Sequence, residues 1–295
     1  MTTEPIHFSH SAASGCMRCP RAYKYGYVDR IRSLARPVAP ALGVVIHAGL
    51  LKGILAGDGH RDSAMGEATS EPDWEALDDC QRMMVEGVLL GCGRIFANLR
   101  GAAEVNLCEE KLRREENGVV WTIVPDAVLT EDKKYLFELK TTSSSISSWT
   151  WEKAKIAFQP HYYANELRHH GHDCAGYDWQ ILKLPTQKKY SYERSNFGPT
   201  EYVHDIAKMM ASDTATWAPH RFYYYEQARL EEALRAQFGT ADIMASVQSY
   251  DVYPQRTSEC FAFGRRCDYF PVCHEGETIE NTDLYRYQPR KGEQK

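Results

Sequence analysis

The stretch LFELKTT, residues 136–142, restricts this chain more than any other, because it reads as a buried strand yet carries an acid and a lysine two positions apart. Side chains alternate across a strand, so Glu138 and Lys140 share one face while Phe137 and Leu139 share the other. Three strand-like runs, VNLCEEKLRR, GVVWTIVPDAVL and KKYLFELKTT, are divided by turn signals at Glu116-Asn117-Gly118 and Glu131-Asp132-Lys133. A three-residue loop over 131–133 closes a hairpin with Thr130 opposite Lys134. Antiparallel pairing then sets Asp126 across from Glu138, with the carboxylates about 5 Å apart.

Opposed acids are destabilising unless something neutralises them. A divalent cation does so, and Mg²⁺ or Mn²⁺ favours carboxylate oxygen together with water and phosphate. With Lys140 alongside, the array suits metal-assisted attack of water on a phosphodiester. Two solvated acids on the open face of a sheet, guarded by an edge lysine, fit the same spacing. Other residues have to decide between the two.

They come in a definite order: GVVIHAGL (43–50), VPDAV (124–128), FELK (137–140) and QPHYY (159–163). This order resembles the PD-(D/E)XK nuclease superfamily, in its RecB-like exonuclease branch. The resemblance implies an α/β, restriction-endonuclease-like core, a mixed central sheet flanked by helices, beside a helical lobe. It assigns His47, Asp126 and Glu138 to the metal, with the Leu139 carbonyl as a further ligand. Lys140 is assigned to catalysis, and Gln159 with Tyr163 to a supporting Q-x-x-x-Y motif. Two positions depart from the usual family pattern: Val124-Pro125 where a glycine commonly precedes the strand aspartate, and Glu138 where aspartate is frequent. Glu109 or Glu110, on the preceding strand, is a candidate additional acid, and the sequence does not choose between them.

Nine cysteines do not form an even disulfide set, and clustered thiols in a reducing compartment more often hold a metal or cluster. Cys260, Cys267 and Cys273 stand as C-x6-C-x5-C, while Cys16 and Cys19 lie near the other end. This is not the paired C-x2-C pattern of a zinc ribbon. One cysteine before the core and three after it resembles the iron-sulfur staple of CRISPR-associated RecB-like exonucleases and of the AddB nuclease domain. The resemblance implies a [4Fe-4S] cluster on Cys19, Cys260, Cys267 and Cys273, joining the N- and C-terminal segments, with Cys16 as substitute or bystander. A zinc-stapled protein of unrelated chemistry is the alternative. Cys80, Cys92, Cys108 and Cys174 are scattered and read as core filling.

The resemblance further implies exonucleolytic hydrolysis of DNA, at single strands or ends, with recombination or CRISPR-adaptation proteins as partners. A catalytically silent DNA-end clamp is the rival reading. The formal charge of −5 and pI near 6.1 confine nucleic-acid contact to local patches. One such patch is Arg18, Arg21, Lys24, Arg30, Arg32 and Arg36 interleaved with Tyr23, Tyr25 and Tyr27, which suits phosphates and unstacked bases, or equally a wet helix with inward tyrosines. A second is 182–194, with Lys188 and Lys189 at a turn. Trp149 and Trp151 precede the Gln159 helix and read as core anchors or stacking groups.

The expected organisation is 1–40 with a cluster cysteine and the basic stretch, 41–104 a helical lobe, 105–200 the nuclease core, and 201–295 helices with the cysteine-bearing tail. Residues 9–28 read as two short helices broken at Cys19-Pro20, 43–55 and 73–99 as helices, and 56–73 as an exposed loop. One helix is expected over 151–170, strands over 176–184 and 189–194, and helices over 200–216 and 225–247. No signal-like N-terminus and no apolar run long enough for a bilayer are visible, so the expectation is a cytoplasmic protein without membrane contact.

Overall fold

The computed structural model describes residues 5–34, 38–186, 198–262 and 266–288. The chain divides into two units, the larger comprising Pro37–Leu112 and Val124–Leu230, the smaller Met1–Arg36, Arg113–Ile123 and Glu231–Lys295. No described helix is long and apolar enough to cross a membrane.

The larger unit begins with α1 (Val38–His47), which runs into a π-helical stretch, Ala48–Leu55, then α2 (Arg61–Ser70) and the long α3 (Asp79–Ala102). Helix α3 starts at a capping box: Asp78 Oδ1 accepts the Gln81 N–H at 2.8 Å, and the Asp78 N–H donates to Gln81 Oε1 at 2.9 Å. Helix α2 occupies residues expected to form an exposed loop. Its buried stripe is only Ala64 and Ala68, one turn apart and fully covered, so the sequence lacks the large apolar residues that mark a helix. Gly53 makes this contact possible, because a Cβ there would collide with the Ala64 backbone.

Five strands follow: β1 (Glu104–Cys108), β2 (Ala127–Thr130), β3 (Lys134–Thr142), β4 (Gly176–Lys183) and β5 (His220–Tyr224), in that order across one sheet. Neighbours are antiparallel except β3 and β4, which are parallel. Their crossover holds α4 (Ser148–Lys155) and α5 (Phe158–His169), where one helix was expected; Ile156 and Ala157 separate them. Strand β5 lies where the sequence suggested no strand, and a further helix, Pro199–Ser212, packs against α3. The result is a mixed sheet flanked by helices, consistent with a restriction-endonuclease-like core.

Alternation decides which face meets which helices. Phe137 and Leu139 point into the core shared with Val45, Ile46, Leu51, Val85 and Phe96, and the Phe96 and Phe137 rings meet edge-on at 5.9 Å. Burying each such side chain is worth roughly 1.5–3 kcal/mol. Glu138 and Lys140 therefore face the side of the sheet that carries α5.

In the smaller unit, Ile6–Phe8 pairs in parallel with Val119–Ile123, which also neighbours Leu112–Glu116, and Ile31–Ser33 pairs antiparallel with Tyr285–Tyr287. The run 118–129, expected as one strand, thus breaks at Val124-Pro125 into strands of two sheets, as a residue without an N–H would favour. Helices His10–Arg18 and Pro20–Tyr23 break at Cys19 as expected, the first capped by Ser9, whose Oγ accepts the Ala12 N–H at 3.2 Å. The expected strand over 189–194, Lys188 and Lys189, and Arg36 lie outside the described residues.

Candidate active site

The β2–β3 hairpin adopts the register read from the sequence: Thr130 faces Lys134 and Ala127 faces Phe137. The ladder ends there. Asp126, the next residue, uses its side chain in place of a backbone acceptor, and Oδ2 takes the Leu139 N–H at 2.7 Å. Its Oδ1 lies 3.8 Å from His47 Nδ1 at the end of α1. Across the hairpin, Glu138 is completely buried. Its Oε2 accepts from Lys140 Nζ at 2.7 Å, while its Oε1 has no partner among the described residues. His47, Asp126, Glu138, Leu139 and Lys140 are thus brought together by one hairpin and one helix end.

Electrostatics follows from this crowding. Burial pushes the Glu138 carboxyl up to about 7; Lys140 pulls it down and Asp126 adds to the rise. Burial would lower the Lys140 ammonium, but Glu138 and Asp126 outweigh it and hold it above the ordinary lysine range. Burial lowers His47, against the pull of Asp126. Gln159 and Tyr163, one turn apart on α5, are joined by a side-chain hydrogen bond, and burial raises the Tyr163 phenol, with Glu138 adding to it.

The donor set fits a hard dication. A buried carboxylate oxygen without a partner among the described residues is costly unless a cation or proton meets it, and Asp126, itself 3.8 Å from His47, acts on Glu138. Among the described residues, no three His, Cys, Asp or Glu side chains converge tightly enough to enclose a single ion. Asp126 and Glu138 instead spend an oxygen each on the Leu139 amide and on Lys140.

The structure distinguishes the two glutamates the sequence left open. Glu110 is exposed. Glu109 sits in the left-handed region at φ 47°, its N–H donates to the Asp126 carbonyl at 3.1 Å, and its carboxylate acts on His47. Lys52, which sequence reasoning overlooked, holds Glu109 at 3.0 Å and Glu71 at 3.1 Å. Its only sequence signal is a lysine in an apolar helix just after His47.

In the smaller unit, Cys19, Cys260, Cys267 and Cys273 line one cavity together with Arg256, Tyr269 and Phe270. Burial raises the Cys273 thiol, Arg21 opposes it, and Cys267, Cys19 and Cys260 each add to the rise, so the four thiols sit within electrostatic reach of one another. Among the described residues no three of these thiols converge tightly enough to enclose a single ion. Cys16 is not on that cavity; it is buried, and its thiol is pushed to about 11. Cys80, Cys92 and Cys174 are buried and Cys108 half-buried.

Of the basic stretch, Lys24 pairs with Asp29 at 2.9 Å, Arg21 donates to the Tyr253 carbonyl, and Arg32 lies over the Tyr27 ring. Tyr23 is buried and hydrogen-bonded by Gln248, and Tyr25 packs on Tyr269. Tyr23 is thus packed inside, while Tyr25 and Tyr27 are half-buried. Trp151 is buried, whereas Trp149 is 74 % exposed.

A family model described as the PD-(D/E)XK nuclease superfamily matches residues 7–274. No match is found among curated proteins.

Proposed function

The chain belongs to the PD-(D/E)XK nuclease superfamily, and on that premise we propose that it is a divalent-metal-dependent DNA exonuclease acting on single strands or ends. The superfamily implies a metal-dependent nuclease; the exonucleolytic mode and the DNA substrate are our reading. The observation that carries it is the buried Glu138, bonded through one oxygen to Lys140 and open at the other, beside Asp126.

Asp126, Glu138 and His47, with the Leu139 carbonyl, would hold Mg²⁺ or Mn²⁺. When bound, the ion neutralises phosphate charge and acidifies the attacking water. The remaining work falls to the chain. Lys140, held as an ammonium by its two acidic neighbours, is an electrostatic group rather than a base: its Nζ donates to the phosphate oxygen on which charge develops. Glu138 holds the Lys140 ammonium in place, and on α5 Gln159 bonds the Tyr163 phenol.

Cys19, Cys260, Cys267 and Cys273 would hold a [4Fe-4S] cluster as a structural tie between N- and C-terminal segments. Protein isolated without oxygen is then brown, and a colourless preparation containing zinc contradicts the assignment.

The test of activity is digestion of end-labelled single strands with Mn²⁺ by wild type, Glu138→Ala and Lys140→Ala. Loss of cleavage in both variants supports the reading. Equal degradation by all three overturns it, and binding without cleavage by wild type assigns the silent end clamp instead.

A further inference from the structure

Beside Lys140 lies a cavity of about 430 Å³, a size suited to a small organic group such as one nucleotide. The sheet register builds one wall. Lys140 and Thr142 share a face of β3, and the parallel partners Glu138↔Trp179 and Lys140↔Ile181 set Trp179 and Ile181 on that same face of β4. Lys140 Nζ lies 5.3 Å from the Trp179 ring centroid. The opposite wall is one stripe of α4, Trp149 and Lys153 at four-residue spacing, with Ala157 just beyond the helix end, while Trp151 turns into the core.

The lining has two features that point to an occupant. Among the described residues it holds no acid and two lysines, Lys140, which is paired with Glu138, and Lys153, together with the hydroxyls of Ser144, Ser145 and Ser147, in a chain of net charge −5. It also carries Trp149, which leaves 74 % of its surface in water although Trp151 nearby is buried. A cationic, acid-free hollow with an open indole matches an anion attached to a flat ring. The bases of a duplex are stacked on one another and cannot offer that face; those of a single strand can.

We propose that this cavity is a subsite for one unpaired nucleotide of a DNA strand, with Trp149 stacking on the base and Lys153 on its phosphate. The proposal rests on the reading of Lys140 as the residue facing the reacting phosphate, which makes the occupant the neighbouring nucleotide. It gives the protein a structural reason to prefer single strands, independent of base identity because every base has a π-face.

The test uses a fluorescein-labelled oligothymidylate and a blunt duplex, with binding read by anisotropy in EDTA, so that no turnover is needed. Trp149→Ala should weaken single-strand binding about tenfold and duplex binding less than twofold, and Trp149→Phe should restore most of the loss. With Mn²⁺, Trp149→Ala should raise KM for single strands while leaving kcat near wild type. A strand carrying one abasic site at each position in turn should show a single position that weakens wild type and leaves Trp149→Ala indifferent. Unchanged single-strand affinity in Trp149→Ala, or an equal loss on duplex, overturns the proposal. A wild type that binds strands through Trp149 but never cleaves them would defeat the nuclease reading and leave the stacking subsite standing, so the two failures are distinguishable.

Discussion

Glu138 and Lys140 lie two residues apart on one strand face and touch at 2.7 Å, yet the second oxygen of the Glu138 carboxylate is buried without a partner among the described residues. The pair is half satisfied: alternation brings the two groups together, and among the described residues no donor reaches the second Glu138 oxygen. A group that is neutral or cation-bound relieves this arrangement, and the functional reading follows from that requirement.

Lys140 should act on the transition state and not on ion binding. Lys140→Gln is expected to lower kcat about a hundredfold or more, with Mn²⁺ affinity and strand affinity changed far less, as for loss of one oriented donor. Single-turnover cleavage compared with calorimetric Mn²⁺ titration separates the two effects.

Glu138 should make the metal-free protein pH-sensitive. Its carboxyl titrates near 7 in the fold against an ordinary value of 4.5. The folded state thus holds this proton more tightly than the unfolded chain, so the contribution is fully present below about pH 4.5 and is lost as pH rises towards 7. Thermal melts in EDTA should show Glu138→Gln gaining on wild type across that window, with a constant gap above it. A gap independent of pH contradicts the burial argument.

The contact of α2 with the π-helical stretch should tolerate no side chain at Gly53, since a Cβ would lie within 2.7 Å of the Ala64 nitrogen. Gly53→Ala is expected to cost about 1–3 kcal/mol by overpacking. Urea melts of this variant beside Gly66→Ala, where a Cβ meets nothing, check it.

The two early cysteines should behave differently. Cys19 lines the thiol cavity while Cys16 is buried elsewhere with its thiol pushed to about 11. Cys19→Ser is expected to reduce iron content and the visible absorbance of anaerobically purified protein, and Cys16→Ser to leave both intact.

The parts legible in the sequence are those governed by local rules. The hairpin register follows from a three-residue turn and strict alternation, and the break at Cys19-Pro20 from proline chemistry. Helix α2 was hidden because its buried stripe is two alanines, which carry little periodic signal. The split of run 118–129 turns on Pro125, whose missing N–H marks a strand limit without saying which sheet each half joins. The Trp179 wall depends on parallel pairing across two intervening helices, and the Lys52 contact with Glu109 on packing of a helix against a strand end. Both are tertiary facts with no local spacing to announce them.

The central claim is that Asp126 and Glu138 present their oxygens to one dication. Calorimetric titration of Mn²⁺ into wild type, Asp126→Asn and Glu138→Gln tests it most directly. One binding event in wild type, weakened about tenfold or more in each variant, is the predicted result. No heat in wild type, or the same affinity in all three proteins, would contradict it.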